Sequence, residues 1–199
     1  KWESGETFRL MIRIGILGDI GSGKSFVAKS FGYPVFNADE EVAKLYKKDK
    51  KVFKKLKNLL PKYISSFPIK KKEVIKAILG NKNNLKKIVK IVHLKIRINM
   101  KLFLKKNKEK KIVILDIPLL LENRINEKKD VLVFVQSKKS EIDKRLKKRI
   151  GFDKKIINNF KNIQLPLNYK KKKSHFIVKN NFTKKFVNKE IKYILKKIL

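Results

Sequence analysis

Three glycines, a lysine and a serine stand close together near the beginning of the chain, in the pattern G-x-x-x-x-G-K-[ST]. The glycines let the backbone turn tightly, so that successive N–H groups can point at phosphate oxygens. The lysine brings a positive charge to the terminal phosphates of a nucleoside triphosphate, and the serine hydroxyl can bind Mg²⁺. An apolar run before the motif and a helical stretch after it favour this interpretation over a plain glycine-rich turn. The residues are Gly18, Asp19, Ile20, Gly21, Ser22, Gly23, Lys24 and Ser25.

A second candidate for chemistry is the carboxylate of Asp39, which follows the short apolar run Pro34–Phe36. At the end of a strand, Asp39 would lie at the same edge of the sheet as the phosphate-binding loop. There it could accept the proton of an attacking hydroxyl group. An equally weighted alternative is that Asp39 caps the helix that begins at Glu40.

A third candidate is Asp116, which ends the apolar run Ile112–Leu115. An acid at the end of a buried strand next to a phosphate-binding loop can hold Mg²⁺ or a water bound to it. The alternative is an ordinary acid in the turn after the strand. The phosphate-binding loop elsewhere in the chain favours the metal-binding role.

The elements that position these residues follow from hydrophobic patterning. The runs Ile12–Leu17, Ile112–Leu115 and Val131–Val135 are short, continuous and rich in valine and isoleucine. Such runs are typical of strands buried on both faces, and therefore of a parallel sheet. Shorter strands are predicted at Pro34–Phe36 and Phe176–Val178. Because helical stretches alternate with these strands, we predict an α/β fold with three layers, in which helices flank a parallel sheet.

Helical spacing of apolar residues predicts the elements between the strands. No convincing strand interrupts the segment from about 40 to 108, so we expect a helical subdomain over the carboxyl edge of the sheet. The lysine run at 170–173 is interpreted as a loop. Residues 1–10 precede the first strand and are interpreted as an N-terminal extension of a single domain, 11–199. The predicted helices are Ser25–Phe31, Glu40–Leu60, Lys72–Leu79, Leu85–Leu104, Ser140–Ile150 and Lys184–Leu199.

Composition limits the classes of function. Hydrophobic residues make up 42% of the 199 residues, enough for a core, and the chain has no cysteine. Thiol chemistry and disulfides are thereby excluded. No apolar stretch is long enough for a membrane span, so we expect a cytoplasmic protein without a membrane partner. The net charge of +37 comes mostly from scattered lysines, which favours solvated helix faces over a specific nucleic-acid surface.

Several motifs together give the chain a family resemblance. In order, they are the loop Gly-Asp-Ile-Gly-Ser-Gly-Lys-Ser, the tripeptide Asn37-Ala38-Asp39, the segment Ile91–Arg97 and the segment Asp116–Glu122. Arg145 and Arg149 add a spacing of R-x-x-x-R, and Ser174–Asn180 completes the pattern. The chain resembles the dephospho-coenzyme A kinases over residues 11 to about 181. The resemblance implies a P-loop kinase fold with a helical acceptor-binding subdomain at about 40–108 and a lid at about 140–170.

The resemblance also implies an activity: the γ-phosphoryl group of ATP moves to the ribose 3′-hydroxyl of dephospho-coenzyme A, the last step of coenzyme A synthesis. ATP and dephospho-coenzyme A are then the substrates, and Mg²⁺ is the cofactor. Asp39, Lys24 and Arg145 would act in catalysis, while Ser25 and Asp116 would hold the metal. Besides the loop, Arg149 and Asn180 would bind ATP. The acceptor would contact Asp39, His93, Arg97, Asp116 and Leu120.

His93 and Arg97 are four residues apart, so they would share one face of a helix and line the acceptor pocket. For His93, a satisfied structural histidine is the alternative. For Arg145 and Arg149, the alternative is a basic helix face, and for Asn180 it is a turn.

Departures from the family pattern leave the principal residues in place. Asp19 stands where the family has glycine, and Asn37 where it has aspartate. His175 replaces an aspartate of the closing motif, which makes the adenine contacts difficult to assign. Two other functions remain open from the sequence: a nucleoside, nucleotide or shikimate kinase with the same loop, and a nucleic-acid-binding P-loop protein that uses the positive charge.

Overall fold

Five parallel strands form the centre of the molecule, in the computed structural model that describes residues 11–148 and 153–199. Their spatial order is β2-β3-β1-β4-β5, and every neighbouring pair is parallel. The carboxyl ends of the strands therefore meet at one edge, which confirms the predicted α/β sheet. The strands are β1 (Ile12–Gly18), β2 (Val35–Asn37), β3 (Ile112–Asp116), β4 (Val131–Gln136) and β5 (Phe176–Lys179).

Helices cover both faces of this sheet. On one face, α1 and α9 pack over strand residues such as Ile14 and Val133. On the other face, α2, α3, α4 and α5 pack over residues such as Leu17 and Leu115. The central strands β1, β3 and β4 are buried on both faces because their side chains alternate between these two cores. The helices are α1 (Lys24–Ser30), α2 (Ala38–Lys48), α3 (Lys50–Leu59), α4 (Lys71–Gly80), α5 (Asn84–Lys106), α6 (Lys139–Lys147), α7 (Lys154–Asn162), α8 (Leu167–Lys173) and α9 (Lys184–Ile198).

Two predictions for the segments between the strands were wrong in detail, one of a helix and one of a loop. The predicted helix Glu40–Leu60 is two helices, because Asp49 has extended backbone angles and its side chain accepts a hydrogen bond from Val52 N at 2.9 Å, capping α3. The lysine run at 170–173 is the last turn of α8 rather than a loop. Lys170 lies at the buried side of that helix and is only 1% exposed.

The connection between β3 and β4, residues 117–130, runs from the carboxyl edge of the sheet to its amino edge. At the amino edge Arg13 of β1 meets Asp130, with 3.0 Å between Arg13 Nε and Asp130 Oδ1. Arg13 also pairs with Glu127, and its Nη2 donates to Ile125 O at 3.4 Å. At the other end, Glu122 pairs with Lys170 at 2.6 Å. The connection is therefore held by a buried cation at both ends.

Some predictions fall outside what the structure tests. Residues 1–10, interpreted as an extension, and Arg149 lie outside the described residues. The boundaries of the acceptor-binding subdomain and of the lid stay predictions, as does the cytoplasmic location. Among the described residues, no helix is long and apolar enough to cross a membrane.

Candidate active site

The phosphate-binding loop joins β1 to α1 at the carboxyl edge of the sheet. Gly23 has a positive φ of 87°, and a Cβ atom there would lie 2.3 Å from Asn180 Nδ2, so both backbone angle and space require glycine. The Lys24 ammonium folds back over the loop and donates to Asp19 O at 2.7 Å and Gly18 O at 3.3 Å. The loop therefore carries its cation in place, as the sequence motif predicts.

The charge of Lys24 is balanced by groups from several elements. Burial lowers the pKa of Lys24; the nearby Asp116 carboxylate acts in the opposite direction, and the nearby Lys170 ammonium lowers the pKa further. Asp39 and Asp19 also favour the charged form of Lys24. Because all these groups influence one ammonium, the predicted catalytic lysine and the two predicted carboxylates share one site.

Asp116 ends β3 and is 3% exposed. Its carboxylate accepts a hydrogen bond from the Ser25 hydroxyl, and Asn37 Nδ2 donates to its Oδ2 at 3.0 Å. Burial raises the pKa of Asp116, while the Ser25 hydrogen bond and the charge of Lys24 act in the opposite direction. The fold thus brings together Ser25 and Asp116, the two residues that the sequence predicts to hold Mg²⁺.

Asp39 lies in the first turn of α2, next to the end of β2. The cap of this helix is Asn37, whose Oδ1 accepts from Glu40 N at 3.0 Å. The alternative that Asp39 is the cap is therefore wrong. Its exposed side chain lies near enough to both Lys24 and Asp116 to affect the pKa of each.

His93 and Arg97 share one face of α5, as their spacing predicts. His93 Nε2 is buried without a hydrogen-bond partner among the described residues, which argues against a satisfied structural histidine. Burial, with a smaller contribution from Arg97, lowers the pKa of His93. Arg97 Nη2 donates to Asn123 O in the β3–β4 connection.

A cavity of about 520 Å³ opens beside His93. Leu119 lines it, whereas Leu120 is fully buried and packs against Gly15 of β1. A side chain with no exposed surface cannot meet a substrate, so we correct the prediction for Leu120 and assign it to the core. The remaining lining residues are Lys86, Val89, Lys90, Glu122, Asn123, Asn162 and Ile163.

Arg145 lies beside the phosphate-binding loop. Its guanidinium stacks on the ring of Phe182, 4.1 Å from the ring centroid, and Phe182 in turn packs against Gly23. Ile142 and Leu146, on the same helix as Arg145, pack against Gly21. The helix that carries Arg145 is thereby anchored on the loop.

Asn180 braces the same loop. Its Nδ2 donates to Ser22 O at 2.8 Å, and its Oδ1 accepts from Phe182 N at 2.8 Å. Both polar atoms of the side chain are thus used within the protein. A direct contact between Asn180 and the nucleotide stays a prediction.

The sequence does not indicate several of the residues at the site, and it gives His175 more importance for the site than its position supports. Phe182 and Lys170 carry no motif signal of their own, and Asn37 is visible in the sequence only as a departure from the family tripeptide. His175 lies before β5 at the amino edge of the sheet, where its Nδ1 accepts from Leu132 N at 2.9 Å. Its departure from the family pattern therefore lies at the edge opposite the phosphate-binding loop.

The fold and the site together define a class: a P-loop kinase, with a phosphate cradle, carboxylates at the strand ends and a neighbouring cavity. A family model described as dephospho-CoA kinase matches residues 12–185. The chain therefore belongs to the dephospho-CoA kinase family, ATP-dependent phosphotransferases whose acceptor is dephospho-coenzyme A. The match confirms the family resemblance that the sequence motifs indicated.

Individual relatives agree with the family. The chain is similar to a dephospho-CoA kinase of Wolbachia sp. subsp. Brugia malayi, 33% identical over 92% of this chain and 95% of that protein. It resembles a crystal structure from Thermus thermophilus at a TM-score of 0.75 and 25% identity, covering 96% of this chain and 99% of the other. A dephospho-CoA kinase from Campylobacter jejuni shares the fold at a TM-score of 0.60 and 21% identity, covering 94% and 96%.

Proposed function

We propose that this chain moves the γ-phosphoryl group of ATP to the ribose 3′-hydroxyl of dephospho-coenzyme A, using Lys24, Ser25, Asp39 and Asp116 at the carboxyl edge of its sheet. The observation that carries the proposal is the convergence of these four side chains from three strand ends. Asp116 accepts a hydrogen bond from Ser25, and both Asp116 and Asp39 act on the charge of Lys24.

In the proposed reaction, the acceptor oxygen attacks the γ-phosphorus and forms a new P–O bond. The bond between that phosphorus and the β–γ bridging oxygen breaks, and ADP leaves. The hydroxyl proton passes to the Asp39 carboxylate, which releases it to water after the step. Because the transition state of phosphoryl transfer is loose, the protein acts mainly by positioning the groups and neutralising charge. Lys24 supplies one positive charge at the terminal phosphates.

Ser25 and Asp116 fit a magnesium site. Mg²⁺ prefers oxygen ligands, and in kinases it takes one or two protein ligands together with phosphate oxygens and waters. A hydroxyl and a buried carboxylate that already share a hydrogen bond match this set. When bound, Mg²⁺ would supply positive charge that offsets the negative charge of the terminal phosphates of ATP. Asn37 would keep the Asp116 carboxylate oriented toward the metal through its bond to Oδ2.

The two substrates would approach the phosphates from different sides. The ring of Phe182 contacts both the Arg145 guanidinium and Gly23 of the phosphate-binding loop. A guanidinium at this position would stabilise the phosphates of ATP. The cavity beside His93 would take the acceptor. Its open lysines, Lys86 and Lys90, suit the diphosphate of dephospho-coenzyme A, and the unpartnered His93 Nε2 offers one hydrogen bond. Arg97 would keep its hydrogen bond to Asn123 O and would stabilise the β3–β4 connection through it.

An acceptor panel tests this function. The purified chain, with ATP and Mg²⁺, is incubated with dephospho-coenzyme A, AMP, CMP or shikimate, and both ADP and the phosphorylated acceptor are measured. We expect turnover with dephospho-coenzyme A alone, and the product should carry phosphate on the ribose 3′ position. Turnover with a different acceptor only, or ATP hydrolysis stimulated by DNA or RNA, would contradict the proposal.

The role of Asp39 has its own test. Asp39→Asn keeps the shape of the side chain but cannot accept a proton at the same pKa, so we expect turnover to fall about 10²-fold or more. The dissociation constant of Mg–ATP should change little. Glu40→Gln, on the next residue of the same turn, is the matched control and should keep turnover within about twofold. Equal losses in both variants would instead indicate a general electrostatic effect of the α2 terminus.

A further inference from the structure

Lys170 is an unusual lysine in a chain rich in that residue. It is the largest of the side chains that are fully buried, at 1% exposure, while Lys171, Lys172 and Lys173 beside it are exposed. A buried ammonium is costly unless it is paired and hydrogen-bonded. Its position is therefore imposed by particular partners rather than by composition.

Those partners join two segments on either side of the candidate active site. Lys170 Nζ lies 2.6 Å from Glu122 Oε1 and 3.3 Å from Gln164 Oε1. The same Glu122 oxygen accepts from Leu165 N at 2.9 Å. The pair thus ties the β3–β4 connection to the segment that leads into α8.

Glu122 is also part of the cavity wall. Its side chain is 8% exposed, and its second oxygen, Oε2, has no hydrogen-bond partner among the described residues. A buried carboxylate oxygen with free lone pairs is suited to a hydroxyl or N–H donor of a ligand. His93 on α5 and Asn123 in the β3–β4 connection line the same cavity.

Lys170 also lies on a helix that contacts the strand of the phosphate-binding loop. Helix α8 packs against β1, the strand that leads into the loop. The same helix therefore contacts the strand before the loop and, through the Lys170 ammonium, holds the Glu122 carboxylate that lines the cavity.

We propose that Lys170 is a positioning residue for phosphoryl transfer: it fixes the Glu122 carboxylate, and with it the acceptor-facing wall, at a set distance from the phosphate-binding loop. This inference rests on the proposed function, because the cavity matters only if it holds the acceptor. Lys170 itself does not touch the reacting atoms. It acts through Glu122, whose free oxygen meets the acceptor.

Three variants separate positioning from simple stability. Lys170→Met leaves the Glu122 carboxylate buried and unpaired, so it should lower both stability and acceptor use. The double variant Lys170→Met/Glu122→Leu removes both charges at similar volume, a change that is often neutral or stabilising for a buried pair. Lys171→Met, one residue along the same helix, is the exposed control.

The measurements are thermal unfolding and separate values of KM for ATP and for dephospho-coenzyme A. In the double variant we expect near-native unfolding, KM for ATP within about threefold, and kcat/KM for dephospho-coenzyme A at least tenfold lower, because a small misplacement near the reacting groups has large kinetic effects. Lys171→Met should match the wild type in every value.

Native acceptor kinetics in the double variant would overturn the inference and leave Lys170 a purely structural residue. If Lys170→Met does not fold, the double variant still tests the Lys170–Glu122 pair as a unit, and Glu122→Gln, which keeps the shape of the side chain, tests the carboxylate alone. A wild-type chain that fails to phosphorylate dephospho-coenzyme A would refute the proposed function instead, so the two failures are distinguishable.

Discussion

The two ends of the β3–β4 connection are held by the same chemistry but lie in different surroundings. At the amino edge of the sheet, Arg13 binds Asp130 and Glu127. At the other end, Lys170 binds Glu122, which lines a cavity next to the phosphate-binding loop. The Arg13 cluster lies at the opposite edge from the catalytic groups, so only stability depends on it. The two buried pairs therefore differ in location: one lies away from the phosphate-binding loop, and the other includes a residue that lines the cavity.

The two pairs also differ in how exposed the carboxylate is. Both oxygens of Asp130 lie 3.0 Å from nitrogens of Arg13, and the Asp130 side chain has no exposed surface. Glu122 pairs through one oxygen with Lys170 and Leu165, and its side chain is 8% exposed and lines the cavity. In each pair one carboxylate oxygen lacks a hydrogen-bond partner among the described residues, but only that of Glu122 belongs to a residue that lines a cavity.

The largest effect is expected from removing the cation of the phosphate-binding loop. Lys24→Met should lower kcat/KM about 10³-fold, because one positive charge at the terminal phosphates is lost. Its stability should stay native or rise, since an ammonium whose pKa is lowered by burial no longer has to be desolvated. Steady-state kinetics and urea unfolding measure both. Lys29→Met, exposed on the same helix, is the control. If Lys24→Met lost stability but kept its kinetic constants, the predicted difference between the carboxyl and amino edges of the sheet would be wrong.

The amino edge should respond in the opposite way. Arg13→Met leaves Asp130 buried and unpaired, so the free energy of unfolding should fall by about 3 kcal/mol. Kinetic constants of the folded enzyme should not change, because the cluster lies at the edge away from the cradle. The double variant Arg13→Met/Asp130→Leu should recover most of the stability. A raised KM for either substrate in folded Arg13→Met would show that the Arg13 cluster also affects the active site.

A third buried acid, Glu73, extends the comparison because no cation forms an ion pair with it within residues 11–148 and 153–199. Glu73 accepts hydrogen bonds from Ser65 and Ser66 and from Lys70 N. Burial opposes ionisation, but these bonds outweigh it and lower the pKa of Glu73 to about 2. Glu73→Gln should therefore cost about 2 kcal/mol at pH 7.

The pH dependence of Glu73→Gln follows from the sign of that shift. A carboxylate whose folded pKa lies below its unfolded value stabilises the fold above the unfolded value of 4.5, and this contribution disappears as the pH falls toward 2. Urea unfolding at a series of pH values should show the difference between wild type and variant shrinking over that window. Glu109→Gln, fully at the surface, should show no such difference; a constant difference at all pH values would refute the assignment.

The smallest effect concerns the charge on α5 beside the cavity. Arg97→Met removes a positive charge that, after burial, helps to lower the pKa of His93. The pKa of His93 should therefore rise, which NMR titration of the imidazole measures directly. Lys101→Met, exposed on the same helix, should leave the His93 titration unchanged. A downward shift in Arg97→Met would mean that the loss of the Asn123 contact buries His93 further.

The sheet and the cradle could be predicted because their signals are local. Val131–Val135 is apolar throughout, a pattern typical of a strand buried on both faces. The residues of the phosphate-binding loop lie within eight consecutive positions. The pairing of Ser25 with Asp116 followed as well, since parallel strands bring their carboxyl ends together. These features depend on neighbours along the chain or on a general rule of sheets.

What could not be predicted depends on contacts between distant segments. Lys170 is identical in type to the three lysines after it, and only Glu122, far away in the sequence, makes it the buried one. Leu119 and Leu120 are equally apolar, so the pattern cannot say which one faces the cavity. The break at Asp49 was missed because helical spacing of apolar residues continues across it.

Asn37 has a consequence for how the molecule can move. Its amide holds the start of α2 through one atom and the Asp116 carboxylate through the other. A shift of α2 would therefore either break one of these hydrogen bonds or move the Asp116 carboxylate with the helix, so Asn37 constrains the spacing between Asp39 and Asp116. An aspartate at this position could keep the first contact only by setting two negative charges against each other.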